Sequence, residues 1–325
     1  MEKLPPLCIK NGASQICQEL VRQSIGKENI VLNEPVSIIS FLDTDQRKVY
    51  ITSKTGQTYK CCQAIVALPP SLQREIEFSP PLEAKKKYLL SSMFMGSTIK
   101  FVLTYRETFW KGENFSGEFI SHRGPISWLA DTSYQNNVPT LTGFLAGQQA
   151  VTMSQLPEND LKVCILDQLS LIFGEWALEP TGFLIQNWFN DAKFIDGGPI
   201  CLPAIGTMAF FANVRHSHGP IHFAGTESAA KFAGSMAGAV HAGHRAAIEV
   251  LDCLRPQCLT SQDYYFLKES QSKYKSSEDK EEALKANQSY SIYRWTIVLP
   301  SVAFLLAWTA LRLRSTYGHL VVPKM

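Results

Sequence analysis

The stretch from Ile221 to Leu251, IHFAGTESAAKFAGSMAGAVHAGHRAAIEVL, determines how the rest of the chain is interpreted. A short apolar strand is predicted over His222–Ala224, and it runs into Gly225-Thr226-Glu227. A helix predicted over Gly234–Leu251 follows, and much of it is alanine and glycine. A helix with so little side-chain bulk either packs its backbone close against another element or presents its N-terminus to an anionic ligand. Both explanations stay open at this point.

Composition and charge are those of an ordinary folded protein. The chain has 325 residues, of which 45% are hydrophobic and 18% charged, and this excludes a disordered or low-complexity chain. Lysine and arginine total 31 against 29 for aspartate and glutamate, so there is no basic excess for nucleic acid. The eight cysteines show no CxxC spacing, so neither a metal site nor a disulfide framework is predicted.

Strand and helix patterns alternate along the body of the chain and predict a mixed α/β fold. A continuous apolar run over Ala64–Leu68 predicts a strand that is buried on both faces. The other elements predicted from apolar spacing are helices over Ser14–Ser24 and Pro157–Phe173, and strands over Ile30–Val36, Val36–Leu42, Val49–Thr52 and Thr98–Tyr105.

The C-terminal part has a different composition. Trp295–Leu311 holds 17 residues without a formal charge, and a helix of that length spans about 25 Å, the short end of what a bilayer core requires. Ten of the eighteen residues from Lys268 to Lys285 are charged, as in a solvated helix or spacer. Together they predict a C-terminal tail anchor in the lipid bilayer, with the body of the protein in the cytosol. A buried core helix is the alternative.

The opening stretch resembles the C-terminal flavin-contacting motif of the FAD-dependent amine oxidases, and further segments agree with that family in order and spacing. Two of them resemble the monoamine oxidases in particular. The agreeing segments are Glu34-Pro35-Val36, Ile65–Pro70, Gly96–Lys100 with Tyr105–Trp110, and Asn187-Trp188 ahead of Gly197-Gly198.

The resemblance implies two catalytic residues. Lys100 matches the lysine that reaches the flavin N5 atom through a water, and Trp188 matches the tryptophan beside the flavin ring. Lys100 also lies in an apolar strand, where a buried cation is expensive without a partner, and this favours a functional role. A core aromatic is the alternative for Trp188. The residues that the resemblance places at the FAD are Val36, Gly225, Thr226, Glu227 and Met236.

Three departures from the family pattern qualify these expectations. No GxGxxG motif, which cradles the FAD pyrophosphate, occurs in the sequence, so the flavin site is expected to be incomplete. Pro199 follows Gly197-Gly198 where monoamine oxidases have a cysteine, so any FAD is expected to be noncovalent. The two aromatic-cage positions hold Ile200 and Ser235, and Phe210, Phe211 or Phe232 is expected to supply other apolar surface in the substrate pocket.

The expected fold is therefore an incomplete two-domain FAD-binding amine oxidase fold, with a mixed-sheet substrate domain and a C-terminal transmembrane helix. The resemblance implies oxidation of an amine by oxygen to an aldehyde with release of hydrogen peroxide, in a homodimer at the mitochondrial outer membrane. A noncatalytic membrane-anchored interaction protein, or a partial product of a longer protein, is the alternative. The predicted segments are 1–75 (later part of the FAD domain), 76–215 (substrate domain), 216–258 (flavin-contacting strand and helix), 259–293 (linker) and 294–325 (anchor and tail).

Overall fold

A computed structural model describes residue 9 and residues 12–42, 45–133, 138–188 and 197–272. The chain groups into two compact units. One comprises Met1–Ser37, Thr52–Thr58 and Ser97–Asp191, and the other Ile38–Ile51, Tyr59–Gly96 and Ala192–Met325. Within those described ranges, no helix is long and apolar enough to cross a membrane. The proposed membrane segment, Trp295–Leu311, lies outside them, so the tail anchor stays a prediction, as do the segment boundaries.

The described elements mix helices with short strands, which confirms the predicted α/β class. The helices are α1 (Ser14–Leu20), α2 (Pro70–Gln73), α3 (Ala84–Ser91), α4 (Phe109–Gly112), α5 (Gly147–Met153), α6 (Glu158–Phe173), α7 (Met236–Leu254) and α8 (Ser261–Ser272). The strands are β1 (Val36–Leu42), β2 (Asp45–Ser53), β3 (Thr58–Cys61), β4 (Ala64–Val66), β5 (Glu77–Ser79), β6 (Met93–Met95), β7 (Thr98–Thr104), β8 (Phe119–Ile120), β9 (Trp128–Asp131), β10 (Thr140–Ala146), β11 (Gly182–Asn187), β12 (Cys201–Pro203) and β13 (Ile221–Phe223).

The first unit is built on a five-stranded sheet in the order β11-β7-β10-β9-β8. β7 is its centre, and its alternate residues Ile99, Phe101 and Leu103 are fully buried. Leu161 and Ile165 of α6 belong to the same apolar cluster, so this helix covers one face of the sheet. Lys100 belongs to the alternate set of β7 residues and lies on the other face.

The second unit contains the element pair that the opening stretch encodes. β13 runs parallel to β4, with Ile221 opposite Ala64 and Phe223 opposite Val66. α7 packs against both strands, and its Ala242 and Ala246 are fully buried. The small residues therefore serve close packing along the middle of α7.

Two further sheets are present among the described residues. β12 pairs with β6, and a four-stranded sheet has the order β3-β2-β1-β5.

Most element predictions are confirmed, and two are wrong. β1 has the bounds predicted for Val36–Leu42, and α6 and α7 agree to within a few residues. Ile30–Val36 forms no strand before Val36, because Asn33 has a φ of 61°, which breaks an extended run. The strand predicted over Ala64–Leu68 ends at Val66 and is not buried on both faces, since Ile65 is 43% exposed.

Candidate functional site

Four side chains form a row across the sheet of the first unit, on the face opposite α6. The strand register places Trp128 of β9 opposite Phe144 of β10, and Phe144 opposite Lys100 of β7. Gln186 of β11 lies opposite Lys100 on its other side. Directly opposed residues of antiparallel strands project to the same face and interact. The row is thus two aromatic rings, a cation and an amide.

Lys100 is the centre of this row, and it is half-buried rather than buried as its apolar strand predicts. The correction has a simple cause, because the apolar neighbours of Lys100 in sequence point to the other face of the sheet. Its Nζ atom lies 5.8 Å from the centroid of the Phe144 ring. At that distance a cation gains about 0.5–1 kcal/mol from the ring. The rings of Phe144 and Trp128 are in turn 5.4 Å apart.

Trp188 lies in the turn after β11, the strand that contributes Gln186 to the row. It is half-buried, and the preceding residue, Asn187, is opposite Ile99. Both residues that were predicted to be catalytic therefore belong to the first unit. Val36 belongs to the same unit and is the half-buried first residue of β1. The strand start is held by the Ser37 hydroxyl, which donates to the Thr52 carbonyl oxygen at 3.0 Å.

The turn after β13 holds three predicted cofactor residues of the second unit. Gly225 has a φ of 103°, a conformation that favours glycine. The Thr226 hydroxyl donates to the Ser235 carbonyl and accepts from the Gly234 N–H at 2.7 Å, which ties the turn to the start of α7. The Glu227 carboxylate is buried and accepts the Cys201 N–H at 2.9 Å. Burial raises the pKa of Glu227, while hydrogen bonds from the N–H groups of Cys201 and Glu227 oppose that shift.

The start of α7 exposes apolar side chains. Met236, its first residue, is 60% exposed, and Phe232 and Val240 are also exposed. Ser235 is the helix cap, since its hydroxyl accepts the Gly238 N–H at 3.1 Å. A Cβ atom at Gly238 would come within 2.2 Å of the Phe232 carbonyl oxygen, so the chain's own loop requires this glycine.

Two other residues predicted for the substrate pocket lie inside the second unit. Ile200 is only 6% exposed, and its carbonyl accepts the Gly96 N–H at 2.9 Å. Phe210 is half-buried and packs edge-on against Tyr88 with 5.5 Å between the ring centroids. Ile200 is also the residue before Cys201, whose N–H binds Glu227, so it lies beside the Gly225–Glu227 turn in the structure.

Sequence reasoning missed two groups of residues. Trp128, Phe144 and Gln186 become neighbours of Lys100 only through strand pairing, and their alternation along each strand was the available signal. The other group is a buried charged cluster in the second unit for which the sequence gives no signal. Its members are Lys86, His222, Arg245 and Glu249.

The start of α7 fits one portion of a flavin. Phe232, Met236 and Val240 present an exposed apolar surface that suits a flat aromatic ring, and α7 begins beside it. The polar groups of Thr226 and Glu227 are engaged in bonds within the chain. The chain's residues therefore fit the ring portion of FAD, whereas its sequence contains no GxGxxG cradle for the pyrophosphate.

Comparison with known proteins gives a consistent set of matches. Residues 3–251 match the family model described as flavin containing amine oxidoreductase. The chain is 33% identical over 246 residues to a probable flavin-containing monoamine oxidase A of Dictyostelium discoideum, which covers 75% of this chain and 53% of that protein. It is 32% identical over 251 residues to amine oxidase [flavin-containing] A of Bos taurus, covering 75% of this chain and 46% of that protein.

A solved structure extends the match to the fold. Cyclohexylamine oxidase from Brevibacterium oxydans superposes with a TM-score of 0.69 at 28% identity, over 75% of this chain and 53% of that one. The chain spans about half the length of the curated relatives it matches.

Proposed function

The chain belongs to the family of flavin-containing amine oxidoreductases, and from that membership we propose that it acts in the oxidation of an amine by oxygen. The amine R–CH2–NH2 loses two electrons and two protons to give an imine, which water hydrolyses to an aldehyde and ammonia. Oxygen takes up those electrons and protons and leaves as hydrogen peroxide. FAD, when bound, supplies the electron acceptor for this chemistry, and noncovalent binding is favoured because Pro199 follows Gly197-Gly198 where the monoamine oxidases have a cysteine.

The observation that supports this proposal most is the row Trp128–Phe144–Lys100–Gln186. The two rings offer an apolar surface for the carbon skeleton of an amine, and they exclude water from it. Lys100 can hold a water or a proton at the edge of that surface. Trp188 directly follows β11, the strand that contributes Gln186 to the row. We assign Lys100 and Trp188 as the catalytic residues on this basis.

The remaining site residues have supporting roles in the proposal. Gly225, Thr226 and Glu227 shape the turn that fixes the start of α7, and Met236 contributes apolar surface there. Val36 contributes the first residue of β1. The residues predicted for the substrate pocket would act indirectly, through the packing of the second unit. They are Ile200, which is buried, Ser235, which caps α7, and Phe210.

The first test is an absorbance spectrum of the purified full chain, before and after acid precipitation. The proposal expects a flavin band that moves to the supernatant, followed by amine-dependent peroxide formation. A chain that binds no flavin when FAD is supplied contradicts the proposal. It would favour the noncatalytic interaction protein, which the lack of a GxGxxG motif and the capping role of Ser235 support.

The second test uses two lysines in matched settings. Lys100 lies over the Phe144 ring at 5.8 Å, and Lys162 lies over the Phe183 ring at 5.7 Å in the same unit. Lys100→Met is expected to slow peroxide formation by about 10²-fold or more, the scale of a lost proton-transfer group, while flavin content stays unchanged. Lys162→Met is expected to leave the rate unchanged. Equal effects of the two variants would make Lys100 structural.

We also propose that residues 295–311 anchor the protein in a bilayer, with the body in the cytosol, and that the membrane is the outer mitochondrial one. The uncharged segment between Arg294 and Arg312 supports the anchor, and the family resemblance supports the organelle. A homodimer is part of the same proposal. The resemblance also supports the division into an FAD-domain part, a substrate domain, a linker and an anchor at the boundaries predicted from the sequence.

A further inference from the structure

α8 packs onto α7 through one phenylalanine and two histidines. The ring of Phe266 lies 4.8 Å from the ring of His241 and 4.8 Å from the ring of His244, both on α7. The two histidines are three residues apart and so face the same side of the helix. Phe266 is therefore an apolar contact that holds α8 against α7.

Polar contacts surround this aromatic cluster. An ion pair, a side-chain hydrogen bond and a side-chain-to-backbone hydrogen bond connect α8 with the rest of the second unit. They are Lys231–Glu269 at 2.8 Å, Tyr264 Oη to Asp252 Oδ1 at 3.0 Å, and Arg215 Nη1 to the Ser270 carbonyl oxygen at 2.7 Å. None of these three contacts includes an imidazole, the side chain whose ordinary pKa lies between about pH 5.5 and 7.5.

The two histidines differ in their access to water. His244 is exposed, whereas His241 is half-buried and its Nδ1 atom is buried with no hydrogen-bond partner among the described residues. Burial lowers the pKa of His241. The cations that face it, Lys231 and Arg245 first and Arg215 next, lower that pKa further, and Glu269 on α8 opposes them.

The balance of energies decides whether a charged His241 tolerates the docked helix. An imidazolium beside the Phe266 ring would gain about 0.5–1 kcal/mol as a cation on an aromatic face. A buried N–H donor without an acceptor costs about 1–3 kcal/mol, and a charged one costs more. The cost exceeds the gain, so protonation of His241 disfavours docking.

We propose that His241 is a proton-sensitive latch, which holds α8 on α7 at neutral pH and releases it on acidification. Release of α8 exposes the His241 ring to water, and this removes the burial that is the largest cause of its lowered pKa. Docking is therefore strongest where His241 is neutral in both states, and it weakens as the pH falls through the pKa of the released state. The latch rests on these contacts alone and does not depend on the proposed oxidase activity.

The position of α8 gives the latch a consequence. The charged stretch Lys268–Lys285 begins within α8, and the proposed membrane segment follows it. Release of α8 would lengthen the connection between the folded body and that segment. This consequence depends on the proposed anchor, whereas the latch does not.

The test is amide hydrogen exchange of α8 in the purified full chain at about pH 5.5 and 7.5, corrected for the intrinsic pH dependence of exchange. We expect faster exchange of α8 at the lower pH, by up to about tenfold for each pKa unit that separates the released and docked states. Exchange of β7 provides the control for global unfolding, and exchange of β13 provides the control for unfolding of the second unit.

Two variants separate the latch from a general role in packing. His241→Phe removes the titrating group and is expected to abolish the pH dependence, whereas His244→Phe, against the same Phe266 ring, is expected to keep it. If phenylalanine disturbs folding, as β7 exchange would show, His241→Gln repeats the test. Wild-type exchange that does not change with pH, or a pH dependence that survives both His241 variants, overturns the proposal.

Discussion

Lys86 has the most unusual environment of the charged residues in the described chain. It is 3% exposed, and its Nζ atom lies 3.1 Å from the centroid of the Phe223 ring. The Nζ amino group donates to the His216 carbonyl oxygen at 2.7 Å. Burial lowers the pKa of Lys86 to about 6, and the guanidinium of Arg245 adds to that effect. Lys86 is therefore mostly neutral at physiological pH.

This environment predicts a pH-dependent stability. The unfolded chain binds a proton at Lys86 up to about pH 10, and the folded chain binds it only below about pH 6. The free energy of unfolding should therefore rise with pH between these values, by at most about 1.4 kcal/mol per pH unit. Lys86→Met should remove this slope, as measured by denaturant unfolding at several pH values.

The neighbouring lysine provides the control for this prediction. Lys87 is exposed in the same helix, and Lys87→Met should retain the wild-type slope. A Lys86→Met protein whose stability depends on pH as steeply as the wild type would refute the assignment of that slope to Lys86.

The two lysines also show how far a sequence can predict burial. Lys100 lies among apolar residues and was expected to be buried, yet it projects from the sheet face opposite α6 and is half-buried. Lys86 lies in the run Lys85-Lys86-Lys87, which reads as a solvated helix face, yet it is buried. Local composition cannot predict the burial of Lys86, because the carbonyl groups and the ring that enclose it come from residues 214–223, more than 120 positions away.

At the scale of elements, β10 depends on a glycine. Gly143 lies opposite Phe101 on β7 and opposite Leu129 on β9. A Cβ atom at this position would lie 2.3 Å from the Phe101 ring and 3.0 Å from a Leu129 methyl group. Both neighbours are fully buried, so neither can move without repacking the core.

Gly143→Ala is therefore expected to lower the free energy of unfolding by about 1–3 kcal/mol, the usual cost of overpacking a core. Gly112 gives the comparison, because an added Cβ there meets nothing within 4 Å. Gly112→Ala should change stability by less than about 0.5 kcal/mol. Thermal or denaturant unfolding of both variants checks the prediction, and equal stabilities would contradict it.

The elements themselves were largely predictable, and their pairing was not. Apolar spacing gave β1, β7, α6 and α7 because each buries one periodic face. The sequence left open whether the small residues of α7 serve close packing or keep the helix N-terminus free for a ligand. In the structure the two explanations apply to different parts of the helix. Ala242 and Ala246 pack against the strands, whereas Met236 at the helix start is exposed. The row through Lys100 required the register of four strands, which no local pattern specifies.

At the scale of the whole molecule, the family was predictable and the grouping of the chain was not. Several short motifs in a fixed order were enough to indicate an amine oxidase, and the match over residues 3–251 confirms it. The compact units interleave segments that are far apart in sequence, such as Thr52–Thr58 with Ser97–Asp191. Contacts between residues far apart in the sequence determine such interleaving, and no local sequence pattern specifies them.

The last prediction concerns the proposed anchor, Trp295–Leu311. Deletion of Trp295–Met325 should release the protein from membranes, since it removes the 17-residue segment without a formal charge that would span the bilayer. Leu306→Arg tests the same idea at full length, because an arginine near the centre of a membrane span costs about 2.5–3.5 kcal/mol. It should shift part of the protein to the soluble fraction in a sedimentation assay after an alkaline wash. Deleting only the residues after Arg314 leaves the apolar run and its basic flanks intact, so this variant should still sediment with membranes. Continued sedimentation of the protein that lacks Trp295–Met325 would instead place the membrane contact in the folded body.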